Sequence, residues 1–137
     1  MKPKLRKANI TAVGKYLPKN ILSNIDLEKM VDTNDEWIQS RTGIIERRIV
    51  DKGEASVEMS INAIREILDS RNLDPVEIDA IIVGTVTPDM LFPSCAALIQ
   101  DRIGATNAWG YDLSAACSGF IFALQSGSAL IESGLSL

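Results

Sequence analysis

The chain has 137 residues and contains no histidine. A cysteine nucleophile usually works with a histidine base or donor, so any such nucleophile here lacks its usual partner. Cysteine is scarce as well. Cys95 and Cys117 are the only two, too few for a disulfide framework and not at metal-ligand spacing. A reduced, cytoplasmic protein is the expectation. No apolar run reaches the roughly 18 residues that a membrane span needs. The start is basic, but Ala8 to Gly14 is too short and polar for a signal-peptide core. Excess positive charge is absent, and the net charge of −4 argues against nucleic acid as a partner. Lys2, Lys4, Arg6 and Lys7 read as a solvated terminus. There is no internal repeat and no low-complexity linker.

What is present is globular. At 46% hydrophobic and 23% charged, the chain has the balance of a folded domain. A chain of this size buries about two-thirds of its unfolded surface, so a core is feasible.

Residues 5–13 read as a loosely alternating first strand, followed by a loop to Asn24. Residues 26–31 suit a short helix. Thr33-Asn34-Asp35-Glu36 fits a capping box, in which the Thr33 hydroxyl and Glu36 carboxylate serve each other's backbone amides. The helix that follows carries Trp37 and Arg41 on one face, four residues apart, and Gly43 stops it. Residues 44–50 read as extended, with Arg47 and Arg48 outside the pattern. Ser56 suits the N-cap of a helix to about Ser70, because Val57, Ile61, Ile64 and Leu68 keep helical spacing. Asp74-Pro75 marks another helix start. Residues 80–86 form an apolar run of strand length, as in a strand covered on both faces. Pro93-Ser94 opens a helix that Gly104 ends. Trp109 to Leu113 reads as a third core strand. Residues 117–133 form a helix apolar on nearly every side, which calls for burial, and Gly134 stops it.

This alternation of strands and helices implies an α/β fold with a parallel βαβαβα sheet. In such a fold a buried helix normally leads into another strand, yet the sequence stops soon after Gly134. A fragment of a longer protein is the expectation.

Cys117 is the most informative residue. It lies in Tyr111-Asp112-Leu113-Ser114-Ala115-Ala116-Cys117-Ser118-Gly119-Phe120, where a strand-like run meets a long apolar helix. Unpaired amides at a helix start favour the thiolate. Small neighbours allow a tight turn and the approach of a substrate, in the manner of a nucleophile elbow. A backbone N–H at the turn can serve a thioester oxyanion. The pattern suits acyl transfer to sulfur. It also suits a small residue packed at a crowded helix start, because free cysteine is often buried. Cys95, inside a first helical turn with no elbow, reads as packing.

Four segments resemble one family. They are Thr11-Ala12-Val13-Gly14-Lys15-Tyr16-Leu17-Pro18; Asp35-Glu36-Trp37-Ile38-Gln39-Ser40-Arg41-Thr42-Gly43-Ile44 with Glu46-Arg47; Phe92-Pro93-Ser94; and Asp112 to Phe120. Together they resemble the N-terminal part of a β-ketoacyl-[acyl-carrier-protein] synthase III, a condensing enzyme of thiolase-like fold, from Ile10 to about Gly134. The resemblance implies that residues 1–137 are an incomplete N-terminal thiolase-like domain without its last strands. It implies that Cys117 is acylated by acyl-CoA, acetyl-CoA being the expected donor, and that malonyl-acyl-carrier-protein then condenses on it with loss of carbon dioxide. Trp37 would stack on the CoA adenine, and Thr33 and Arg41 would contact its nucleotide portion. Phe92 would line the acyl pocket of the partner in a homodimer. No metal or redox cofactor is implied. The family's catalytic histidine and asparagine fall in a C-terminal half not present here, so this chain alone is expected not to condense. Other readings remain. One is a related condensing enzyme, of hydroxymethylglutaryl-CoA synthase or polyketide-starter type. Another is a non-catalytic thiolase-like scaffold.

Overall fold

A computed structural model of the chain describes residues 6–135. Leu5, Lys2 and Lys4 lie outside the described residues. Two compact units are present: Tyr16–Ala55, and Ser56 onward together with the residues up to Lys15.

In the unit Tyr16–Ala55, β1 (Asn20–Ser23) pairs antiparallel with β2 (Glu46–Ile49), with Asn20 opposite Ile49 and Leu22 opposite Arg47. The extended reading of 44–50 holds for Glu46–Ile49, with Arg47 and Arg48 inside the strand although they break its apolar pattern. Ser23 ends β1 and caps α1 (Asn24–Glu28) through a capping box with Asp26. That cap starts the helix two residues earlier than the expected 26–31. The next helix, α2 (Asp35–Thr42), is capped by Asn34, whose side chain accepts the Trp37 N–H at 2.8 Å. The expected Thr33–Glu36 box is therefore displaced by one residue. With Asn34 as cap, the third helical residue is Trp37, which has no carboxylate to return. Gly43 ends α2 in a left-handed conformation, φ 71°, where a side chain would be strained.

The hub of this unit is Asn24, a polar side chain only 1% exposed. Its amide donates to Asp35 and to the Ile44 carbonyl, each at 2.7 Å, and its oxygen accepts from Arg47 at 2.8 Å. A buried amide so satisfied ties α1, the start of α2 and β2 together at little desolvation cost.

The other unit holds the hydrophobic core. Strand β3 (Ala80–Gly84) pairs in parallel with β4 (Trp109–Leu113), in register from Ala80 opposite Trp109 to Gly84 opposite Leu113. Helix α4 (Cys95–Ile103) makes the crossover; Ser94 caps it and Gly104 stops it in the left-handed region. Helix α3 (Ser56–Arg71) lies against α4. Val57, Ile61, Cys95 and Ile99 are buried between them, with Ile64, Ile81, Val83, Leu98 and Ile103 packed around. Asp74-Pro75 opens only a single 3-10 turn, Pro75–Glu77. The parallel α/β reading holds, and β4 has its expected bounds.

Three expectations are corrected. Residues 6–13 join no ladder, and Ile10 and Val13 are exposed; apolar alternation makes a strand only where a partner takes its hydrogen bonds. The backbone at Gly14 instead lies against α3, where an added Cβ would stand 2.1 Å from the Ala63 carbonyl oxygen. Strand β3 stops at Gly84 and Val86 is exposed, so the run is half-covered rather than buried. The last helix, α5 (Gly119–Ser133), begins two residues after Cys117 and is not buried. One side packs on β3, while Phe120, Ile121, Phe122 and Leu124 remain exposed. Among the described residues, no helix is long and apolar enough to cross a membrane.

Candidate active site

Cys117 sits where β4 turns into α5. The strand's last carbonyl, that of Leu113, accepts the Thr85 N–H at 3.1 Å. After Ser114 and Ala115 comes a single 3-10 turn, Ala116–Ser118, then α5. Ala116 has φ 44°, in the left-handed region. A non-glycine residue there carries strain of about 1–3 kcal/mol, and such residues cluster where a side chain is presented for function. Alanine keeps the clash small. The turn closes with the Ser118 N–H donating to the Ala115 carbonyl at 3.0 Å. The Ala116 and Cys117 amides precede that bond and have no acceptor within the turn. Cys117 is exposed and free.

Close packing fixes the far side of the turn. Gly119 is buried against Gly84, and a Cβ on Gly84 would stand 2.8 Å from the Gly119 carbonyl carbon. The elbow anticipated around Cys117 is thus present, as a separate turn ahead of the helix rather than as the helix's first residue.

Cys95 behaves as packing, as expected. It is buried. Burial pushes its thiol above the ordinary value of 9.0, and the nearby Asp112 and Asp89 carboxylates add to the rise, opposed only by a hydrogen bond from the Asp89 backbone. The two cysteines therefore differ in access by their settings alone.

The other expected site residues lie on two segments. On α2, Trp37 is 56% exposed, and its ring stacks on no other ring among the described residues. Arg41 is exposed one turn later, with no ion pair or side-chain hydrogen bond among the described residues. Thr33 is half-buried just before the cap. Phe92 is 88% exposed in the loop between β3 and α4, so loop packing does not account for it.

An apolar cavity of about 480 Å³ lies between residues 8–10, β3 and α5, lined by Ile10, Ile82, Phe120 and Leu124 among others. Cys117 is not part of its wall. Among the described residues, no group of three or more His, Cys, Asp or Glu side chains could hold a metal ion.

Sequence reasoning missed two carboxylates. Asp112 on β4 caps α4, accepting the Cys95 N–H at 2.8 Å and the Ala96 N–H at 2.9 Å. Asp89 caps α3, accepting the Ser56 N–H at 2.8 Å and the Val57 N–H at 3.1 Å. Their only sequence signal was an acid in each segment next to an expected functional residue.

The parallel β–α–β–α unit, whose second strand enters an apolar helix, has the fold of thiolase-like condensing enzymes. No protein-family model matches the chain. Individual proteins do. The chain is 60% identical over 128 residues to a β-ketoacyl-[acyl-carrier-protein] synthase III of Chlorobium phaeovibrioides, covering 93% of this chain and 39% of that protein. The crystal structure of 3-oxoacyl-[acyl-carrier-protein] synthase III from Aquifex aeolicus VF5 superposes with a TM-score of 0.87 at 50% identity, covering 94% of this chain and 41% of that one. The priming β-ketosynthase of the R1128 polyketide pathway superposes with a TM-score of 0.91 at 39% identity, covering 99% and 41%. In sequence and in fold the chain is similar to β-ketoacyl-[acyl-carrier-protein] synthase III proteins, and spans about two-fifths of the length of the relatives it matches.

Proposed function

We propose that Cys117 is the acyl acceptor of a β-ketoacyl-[acyl-carrier-protein] synthase III. The observation that carries this is the exposed cysteine on a strained turn at the start of α5. Its thiolate attacks the thioester carbonyl of an acyl-CoA, acetyl-CoA in the simplest case. The tetrahedral oxyanion is met by the free amides of the turn. Coenzyme A leaves as its thiol, and the acyl group stays on sulfur. Malonyl-acyl-carrier-protein then loses carbon dioxide, and the resulting carbanion attacks the acyl-cysteine. The products are a 3-oxoacyl-carrier-protein and the regenerated thiol. Two substrates sharing one sulfur impose ping-pong order, and no redox cofactor or metal is called for.

Trp37 offers an unstacked indole face to the CoA adenine, and Arg41 an unpaired guanidinium to its phosphates. Thr33 completes that contact. Phe92, exposed on its loop, lines the acyl pocket of the partner in a homodimer. On this reading residues 1–137 belong to a single thiolase-like domain of a cytoplasmic enzyme. Without histidine, this chain stops at the acyl-enzyme.

Intact-mass spectrometry after incubation with acetyl-CoA tests the assignment. A gain of one acetyl group is expected in the wild type and in Cys95→Ala, and none in Cys117→Ala. A gain that persists in Cys117→Ala sinks it. The likeness to a priming ketosynthase supports a second reading, in which the same acyl-cysteine primes a polyketide. The choice of carrier protein as acceptor separates the two.

A further inference from the structure

The reading above gives no role to Asp112, the residue that opens the Asp112–Phe120 segment. Its carboxylate grips α4 with both oxygens, Oδ2 on the Cys95 N–H and Oδ1 on the Ala96 N–H. Ser94 takes the next amide, that of Ala97, at 3.2 Å. The first three amides of α4 are thus all satisfied, two of them from another element.

The placement matters more than the count. Asp112 lies one residue before the end of β4, and the strained Ala116 follows four residues later. The α4 terminus that it grips comes directly after Phe92-Pro93-Ser94. One side chain therefore joins the segment bearing Cys117 to the segment bearing Phe92. Few other bonds hold the turn: the Thr85 N–H on Leu113, the Ser118 N–H on Ala115, the Gly119 N–H on Ala116, and the backbone contact of Gly119 with Gly84.

We infer that Asp112 is a positioning residue for acyl transfer, acting through β4 and α4 to hold the Cys117 turn and the Phe92 loop in register. This rests on Cys117 being the acyl acceptor. A helix cap without a positioning role would make the same hydrogen bonds but would leave the transfer rate of the folded protein unchanged. A positioning residue changes that rate, because a misplacement of about 1 Å at a reacting centre costs on the order of 100-fold.

Asp112→Asn tests the difference. It keeps the shape and one acceptor, and sets an amide N–H₂ against a backbone N–H. In the full chain, transfer from acetyl-CoA to Cys117 is followed by quenched-flow mass spectrometry below the melting point of both proteins. The rate at saturation is expected to fall roughly 10- to 100-fold, with KM for acetyl-CoA within about twofold. Labelling of Cys117 by iodoacetamide, which requires no bound pose, is expected to change less than about threefold. Asp112→Glu retains the charge but lengthens the arm by one methylene; it is expected to slow transfer by at least about tenfold, and serves if the Asn variant fails to fold. A transfer rate within twofold of wild type, with only the melting temperature lowered, overturns the inference. Equal losses in transfer and in iodoacetamide labelling overturn it too, since the thiol itself would then have changed. A wild-type chain that takes no acetyl group overturns the reading of Cys117 and this inference together.

Discussion

Helix α3 offers a direct contest between a cap read locally and a cap delivered from afar. Ser56 has the sequence signature of an N-cap, yet its hydroxyl makes only a long 3.4 Å contact to the Thr87 carbonyl. The first two amides of α3 are held instead by Asp89. Replacing an N-cap acceptor by alanine costs about 1–2 kcal/mol. Asp89 has two amides and a favourable place at the positive end of a 16-residue helix, so Asp89→Ala should fall in the upper part of that range. At about 4 °C per kcal/mol for a chain of this size, the melting temperature should drop by roughly 6–8 °C. Asp89→Asn keeps one acceptor and loses the charge, and should cost about half as much. Ser56→Ala removes a weak contact and adds a better helix former; its effect should lie within about 0.5 kcal/mol of zero. Thermal unfolding by circular dichroism, supported by urea titration, measures all three. Equal or greater loss in Ser56→Ala than in Asp89→Ala would refute the assignment of the cap.

Iodoacetamide at neutral pH should label Cys117 at least about 100-fold faster than Cys95, because Cys95 reacts only after local opening and its thiol is pushed up by burial; peptide mapping after timed quenching would show comparable labelling if this were wrong. Ile61→Ala, at a fully buried position in the core of α3 and α4, should destabilise by about 2–5 kcal/mol in urea titration, and a change below 1 kcal/mol would mean that the core lies elsewhere. The Asp26 carboxyl is lowered from its ordinary 3.8 to about 2, chiefly by the Ser23 hydroxyl and then by Lys29. Its contribution to capping α1 is therefore fully present above pH 3.8 and is lost as pH falls through about 2. A side-chain carboxyl NMR titration should give a midpoint near 2, and one at 3.8 or above would remove the capping box from solution. Trp37→Ala should raise KM for acetyl-CoA at least about tenfold while leaving saturated transfer to Cys117 within about twofold; an unchanged KM would take the adenine off this indole.

Features set by neighbours in the chain were legible in advance. Gly43, Gly104 and Gly134 end helices where a left-handed residue is needed, Ser94 starts one, and β4 has the bounds that its apolar run indicates. The elbow at Cys117 was legible from the small residues around it, although its left-handed pivot falls on Ala116, a residue type that gives no warning. Features set across the fold were not legible. Asp89 and Asp112 cap helices more than fifteen residues away, and Asn24 becomes a hub only once α1, α2 and β2 meet around it. Residues 6–13 and α5 show the same division. Their apolar pattern was correctly seen, but whether such a pattern is paired or covered depends on what lies beside it, which periodicity does not encode.

The exposed apolar surface of α5 sets how this chain behaves in a tube. Phe120, Ile121, Phe122 and Leu124 all stay exposed on a protein whose net charge is only −4. Mutual repulsion is the main force that keeps such surfaces from meeting, and it fades as carboxylates take up protons. Solutions of the chain should therefore cloud in mild acid well before the fold gives way. They should bind environment-sensitive dyes while still native, and stay clearest at low salt and alkaline pH, where the charge is largest and least screened.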